Sequence, residues 1–300
     1  MTSPAPVLFV HAHPDDETLT AGITMAHYVR AGRPVHVLTC TLGEEGEVIP
    51  AELRHLDSDH DDALGPYRRE ELRRAMGSLG VAHEILGEDP ASGRLSVYRD
   101  SGMAGPPRPP RADAFVHASL PKAAQQVAEV IRRVRPGAVV TYDEHGGYGH
   151  PDHIQTHRVT CAAVATFPPP ERPPLYAVLV PRSWAREDRL WLRQHVSAEY
   201  GWTLPDPDGD YPPGVVEDGQ VTHEVCAPGL VPVQAEALRH HATQVTVRGE
   251  VYALSNDVAA RLSGREGFAL LDPQSGALLS AGATGTGRPT RRRTGLDLRP

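Results

Sequence analysis

Two short segments concentrate the side chains from which hydrolytic metal chemistry is built. The first, His11-Ala12-His13-Pro14-Asp15-Asp16-Glu17, directly follows an apolar run at 7–10. The second, Gly146-Gly147-Tyr148-Gly149-His150-Pro151-Asp152-His153, follows an apolar run at 138–142. A catalytic divalent ion takes about three nitrogen or oxygen ligands from the protein and keeps an open position for water. Together the segments supply two imidazoles and one carboxylate for such a site. An adjacent second aspartate is useful, because neighbouring side chains on a turn point in different directions. One carboxylate can then bind the ion while the other faces the attacking water as general base. The plainer reading, in which Asp15 or Asp16 caps the following helix, accounts for one segment but not for two.

Other polar clusters carry less. His157 lies four residues after His153 and would share its helix face, which makes it a rival ligand, although an open site needs only three. Residues 57–62, with four aspartates and a histidine, read as a solvated acidic loop rather than a second metal site. His240 and His241 suit the end of a helix dipole, and His241 with Gln244 could approach the site from a second lobe. Cys40 and Cys161 pack as small apolar residues. The glycines at 146, 147 and 149 lack the frame of a dinucleotide fingerprint.

The elements that must position these segments follow from the apolar pattern. Runs at 7–10, 35–40, 84–86, 138–142 and 175–180 read as strands. Residues 22–31 and 152–165 read as helices, as do the stripes Leu72, Ala75, Met76, Leu79 and Val127, Val130, Ile131, Val134. Strand–helix alternation with apolar strands predicts an α/β fold, a mostly parallel sheet with helices on both faces. Ligands of such sheets bind outside the carboxyl ends of the strands, where both segments fall. Beyond residue 181 a helix at 182–195, a long loop at 198–220, a strand near 221–225, a helix at 233–241 and a hairpin around 272–276 predict a smaller C-terminal α/β lobe. The expected division is a Rossmann-like core at 1–181, a lobe at 182–284 closing over the site, and a disordered tail at 285–300.

Composition narrows the function classes. Of 300 residues 40% are apolar and 23% charged, enough for a sizeable core. The net charge of −8 has the wrong sign for nucleic acid or an anionic membrane surface. Three scattered cysteines make no disulfide framework. No apolar run approaches the ~18 residues of a membrane span, and residues 1–6 lack a basic signal-peptide region. A cytoplasmic protein with a small-molecule substrate is expected, its oligomeric state left open.

His-Pro-Asp-Asp-Glu at 13–17 and His-Pro-Asp-His at 150–153 resemble the LmbE/PIG-L family of metal-dependent N-acetylglucosamine deacetylases. The blocks at 39–48 (TCTLGEEGEV), 98–105 (YRDSGMAG), 146–153 and 241–244 (HATQ) are most similar to members that act on an N-acetylglucosaminyl-inositol. The resemblance implies that His13, Asp16 and His153 hold one Zn²⁺ per chain, with Fe²⁺ also suited to that donor set. It implies Asp15 as general base and Tyr148 as donor to the oxyanion. His150 would assist the tetrahedral intermediate or protonate the leaving amine, with Asp152 holding His150 in orientation. Substrate contacts would fall on Thr20, Glu47, Arg68, Asp100 and Met103. The expected reaction frees the sugar amine and acetate. A same-family amidase of mycothiol S-conjugates is the nearest alternative, and a metal- or sugar-binding protein without turnover the alternative from another class. Asp15, Tyr148 and His150 speak against the latter, since pure binding needs no general base.

Overall fold

The computed structural model describes residues 4–103, 109–279 and 292–299. The chain opens with β1 (Val7–His11), α1 (Asp16–Arg30), β2 (Val35–Thr39), α2 (Leu64–Leu79), β3 (Ala82–Ile85), α3 (Leu120–Val134) and β4 (Ala138–Thr141). A single helical turn, α4 (Gly146–Gly149), leads into α5 (Pro151–Ala165), β5 (Leu175–Pro181) and α6 (Arg182–His195). There follow β6 (Val215–Val216), β7 (His223–Cys226), α7 (Val231–Arg239), β8 (Thr246–Arg248), β9 (Val251–Ala253), β10 (Ala260–Arg261), β11 (Arg265–Leu270) and β12 (Arg293–Thr294).

The main sheet runs β12-β7-β11-β5-β4-β1-β2-β3, with β6 beside β5. The strands from β5 to β3 are parallel, whereas β11 is antiparallel to both β5 and β7. Every residue of the central strand β1 is buried, as befits a strand covered on both faces. Its side chains alternate. Val7 and Phe9 join a core with Leu72, Ala75, Met76 and Leu79 of α2, while Leu8 and Val10 join Val127 and Ile131 of α3 and Val159 of α5. The helical stripes therefore bury the residues that their spacing predicts, with Val134 at the end of α3 only partly covered. Among the described residues no helix is long and apolar enough to cross a membrane.

Two expectations need correction. The sheet crosses the boundary expected at 181, because β7 and β11 of the C-terminal segment extend it beyond β5. Among the described residues only β8, β9 and β10 form a sheet of their own, over a small cluster of Leu192, Val251 and Ala259. β11 is also keyed to α1: the Glu266 carboxylate accepts the Ile23 and Thr24 N–H groups at 2.8 Å each and the Thr24 hydroxyl at 2.5 Å. The second correction is the tail. Residues 292–299 form an ordered edge, with β12 pairing parallel to β7. The Leu296 N–H donates to the Tyr28 hydroxyl at 2.8 Å, and the Asp297 N–H to that of Tyr176 at 3.0 Å. An open strand edge and two inward tyrosine hydroxyls need partners, and this stretch supplies them. The rest of the expected tail lies outside the described residues. The expected hairpin keeps its turn, Asp272 N–H to Ala277 O at 2.9 Å, but its second arm is a single bridge, Leu271 to Leu278.

Candidate active site

β1 and β4 are parallel neighbours in register, Phe9 facing Val140, so the segments that leave their carboxyl ends meet. Asp15 is the residue before α1 and takes φ 120°, ψ −36°, a backbone conformation that non-glycine residues rarely adopt. At this turn the two side chains part: Asp15 Oδ1 faces Arg68, and Asp16 Oδ2 faces His13 and His153. His150 caps α5: its Nδ1 accepts the Asp152 N–H at 3.1 Å, and Pro151 begins the helix with its φ already set.

Three ligand atoms make a nearly equilateral triangle. His13 Nδ1, Asp16 Oδ2 and His153 Nε2 lie 3.2 Å apart on each edge. Around a tetrahedral ion with bonds near 2.0 Å, ligand atoms stand about 3.3 Å apart, so these residues fit a divalent metal. Both rings are oriented from behind, as metal-ligating histidines usually are. His153 Nδ1 donates to the Gly146 carbonyl at 3.1 Å, and His13 Nε2 faces Asp100 Oδ1 at 3.3 Å and Asp152 Oδ2 at 3.4 Å. Tyr142 donates its hydroxyl to Asp16 Oδ2 at 2.7 Å, accepts the Ala12 N–H at 2.9 Å, and stacks on the His153 ring at 4.2 Å. His150 also approaches, its ring 4.6 Å from His13 and 4.9 Å from His153, and its ligand atom lies close enough to both to join a metal set. The triangle with Asp16, 3.2 Å on each edge, matches tetrahedral ligand spacing, and its carboxylate supplies a negative charge that three imidazoles lack.

Electrostatics divide the two aspartates. Burial disfavours charge at Asp16, but His153 and His13 outweigh it and hold its carboxyl well below the usual range. Burial pushes Asp15 up to about 6, with the Arg68 guanidinium pulling the other way. Arg68 Nη2 lies 3.3 Å from Asp15 Oδ1. Burial, then the neighbouring His13 and His153, push His150 down to about 3, so its imidazole is neutral. With Nδ1 accepting a backbone N–H, the ring proton sits on Nε2.

The remaining residues divide. Tyr148 is half-exposed on its glycine turn, its ring 4.9 Å from His153. Met103 is 60% exposed, and the Glu47 side chain is exposed on the loop after β2. Asp100 is buried, accepting the Gly102 and Glu45 N–H groups at 2.9 and 3.2 Å. Arg68 departs from expectation: its two Nη groups are spent on the Pro14 and Gly43 carbonyls, at 2.6 and 2.8 Å, and on Asp15, and its Nε is buried. The Thr20 hydroxyl is likewise committed, to the Asp16 carbonyl at 2.7 Å and the His11 ring at 3.1 Å. The Asp152 carboxylate does not orient His150; it takes the Ser101 N–H at 2.8 Å, the Ser101 hydroxyl, and His13. Near the amino end of a helix, carboxylate and backbone point differently, and here the backbone serves His150. His157 binds the Tyr142 carbonyl at 2.9 Å and is no part of the triangle. Sequence reasoning passed over Tyr142, although two residues past Val140 it had to arrive beside His11 and Ala12. It also gave no role to Ser101, although that residue lies in the block at 98–105.

A match to the PIG-L family, described as GlcNAc-PI de-N-acetylase, spans residues 8–164. The chain is 43% identical over 295 residues to the 1D-myo-inositol 2-acetamido-2-deoxy-alpha-D-glucopyranoside deacetylase of Thermomonospora curvata, covering 92% of this chain and 93% of that one. It is 46% identical to the protein of the same name from Streptomyces avermitilis, over 90% of this chain and 93% of that one. Among solved structures it resembles the zinc-inhibited form of teicoplanin deacetylase Orf2 with a TM-score of 0.52 and 18% identity, covering 89% of this chain and 99% of that one, a likeness of fold. A family match across more than half of the chain, and relatives this similar along nearly all of it, leave one conclusion: the chain belongs to the PIG-L (LmbE-like) family.

Proposed function

We propose that the protein removes the N-acetyl group from 1-O-(2-acetamido-2-deoxy-α-D-glucopyranosyl)-1D-myo-inositol in the cytoplasm, consuming one water and releasing the free amine and acetate. The observation that carries the hydrolytic reading is the buried triangle of His13, Asp16 and His153 beside an aspartate held near 6. The sugar-inositol substrate is supported by the names of the two relatives. A divalent ion held by His13, Asp16 and His153, zinc in this proposal, would polarise the acetyl carbonyl and acidify the attacking water.

The chain's own residues do the rest. Asp15 is ionised near neutral pH yet basic enough to take the proton of the attacking water, the compromise that a general base requires. Arg68 fixes its carboxylate. Tyr148 and the neutral His150, through Nε2–H, donate to the carbonyl oxygen as charge develops on it. The proton on Asp15 then passes to the departing amine. In this reading Glu47 and Met103, both exposed, contact the sugar and inositol, while the buried Asp100 backs the His13 ring. The test is acetate release from the N-acetylglucosaminyl-inositol, measured beside cleavage of a mycothiol S-conjugate, before and after chelation. Acetate release that chelation abolishes is the expected result. Faster cleavage of the conjugate would overturn the substrate assignment, and turnover indifferent to chelation would overturn the mechanism.

A further inference from the structure

Glu17 closes the first motif and His241 opens the His-Ala-Thr-Gln block, and the mechanism uses neither. In the fold they meet. Both side chains are fully buried, and His241 Nε2 lies 3.3 Å from Glu17 Oε1, an ion-pair contact rather than a linear hydrogen bond. Glu17 spends its other oxygen on the strained residue: Oε2 accepts the Asp15 N–H at 3.0 Å. A non-glycine residue at φ 120° costs of order 1–3 kcal/mol and persists only where its surroundings over-determine it. Glu17 holds the N–H, the N–H groups of Thr18 and Leu19 hold the carbonyl at 3.0 and 2.9 Å, and Arg68 holds the carboxylate.

His241 is itself anchored. Two residues on, Thr243 gives its N–H and hydroxyl to Glu71 of α2 at 2.9 and 2.6 Å, on the same helix as Arg68. The Thr243 carbonyl accepts the Ile49 N–H at 2.9 Å, and Gln244 Nε2 donates to the Glu47 carbonyl at 3.0 Å. The block is thus fastened to α2, which carries Arg68, and to the loop at 47–49. A buried carboxylate is costly unless its oxygens are partnered: Glu17 Oε1 accepts the Thr18 hydroxyl at 2.6 Å and faces His241 Nε2 at 3.3 Å, which leaves Oε2 to the Asp15 N–H.

We propose that the Glu17–His241 pair is a positioning device that holds Asp15 in its strained conformation for proton abstraction. This deepens the deacetylase reading and rests on it. The test compares His241→Ala, His241→Gln and Glu17→Gln with wild type, and repeats His241→Ala in an Asp15→Asn background. Steady-state acetate release, single-turnover rates and metal content by elemental analysis are read for each. In the wild-type background His241→Ala and Glu17→Gln should lower kcat by roughly 10–100-fold, the scale of a displaced reacting group, with KM and metal content unchanged. His241→Gln, which keeps a donor facing Glu17, should recover part of the loss. On Asp15→Asn the His241→Ala change should cost less than about twofold, since residues acting as a unit are not additive. An equal loss in both backgrounds, a loss that tracks metal content, or unchanged kcat in all three variants would overturn the inference. Absence of acetate release from wild type would instead strike the deacetylase reading itself. If His241→Ala does not fold, Glu17→Gln carried through the same two backgrounds decides.

Discussion

The contact between Arg68 and Asp15 sets where activity begins as pH rises, and removing it should move that point. Arg68 Nη2 and Asp15 Oδ1 are 3.3 Å apart, with side chains 4% and 11% exposed. At that distance and an effective dielectric constant near 20, the attraction is about 5 kcal/mol, a ceiling that water entering the vacated space reduces. An opposite charge this close ordinarily lowers a carboxyl by about 1–3 pH units. Asp15 sits at about 6 with the arginine in place. In Arg68→Met the acid limb of kcat/KM should therefore rise to roughly 7–9. The sign follows from the role: the base works deprotonated, so activity is lost as pH falls through its pKa, and raising the pKa moves the loss upward. A shift of two pH units would leave Asp15 about 10% ionised at neutral pH instead of about 90%, a tenfold loss recovered at higher pH. Arg68→Lys, which keeps the charge, should return most of the limb toward its original place. The assay is kcat/KM for acetate release from about pH 5 to about pH 10 with metal content checked at each end. An unmoved limb with a raised KM would refute the reasoning and return Arg68 to substrate binding.

His153→Ala should lose metal and activity together, from one ion per chain in wild type, as elemental analysis and acetate release will report; full occupancy would leave His150 as the replacement ligand. Tyr148→Phe should lower kcat by roughly 10²–10³-fold at constant metal content, the range for one oxyanion donor, and a change confined to KM would remove Tyr148 from the chemistry. Burial pushes Glu266 up to about 7, from an ordinary 4.5. The folded chain then holds a proton that the unfolded chain releases, so this stabilisation is complete below about 4.5 and fades as pH rises to about 7, by roughly 3 kcal/mol. Urea unfolding across that window should show the slope in wild type and not in Glu266→Gln; equal slopes would refute it.

What was legible in the sequence was what short-range pattern encodes. The apolar runs gave the parallel strands, and the stripe Leu72, Ala75, Met76, Leu79 gave the buried face of α2, because burial and periodicity are one fact seen twice. The two histidine–aspartate segments were legible because each follows a strand whose carboxyl end is the only place an α/β sheet offers them. The antiparallel insertion of β11 was not, since strand order beyond β5 depends on partners far along the chain, and β12 pairs only two residues. At the site, residue types were legible but not the direction of each side chain. Arg68 looked free to bind substrate, and only the fold shows its fork closed on Pro14, Gly43 and Asp15.

The pairing of β1 with β4 also governs the order of events when the chain folds. His13 and Asp16 leave β1 near the start of the chain, whereas His153 follows β4 more than a hundred residues later, and the intervening β2 and β3 stack on the other side of β1. Local contacts between β1, α1 and β2 can form early, but closing the long loop to β4 costs entropy before any contact repays it. The triangle does not exist until that closure is made. An ion held by this triangle would therefore not template the early collapse, as one does in small metal-stapled domains. It would enter late, into a sheet already joined, and its uptake during refolding would time the moment when β4 docks against β1.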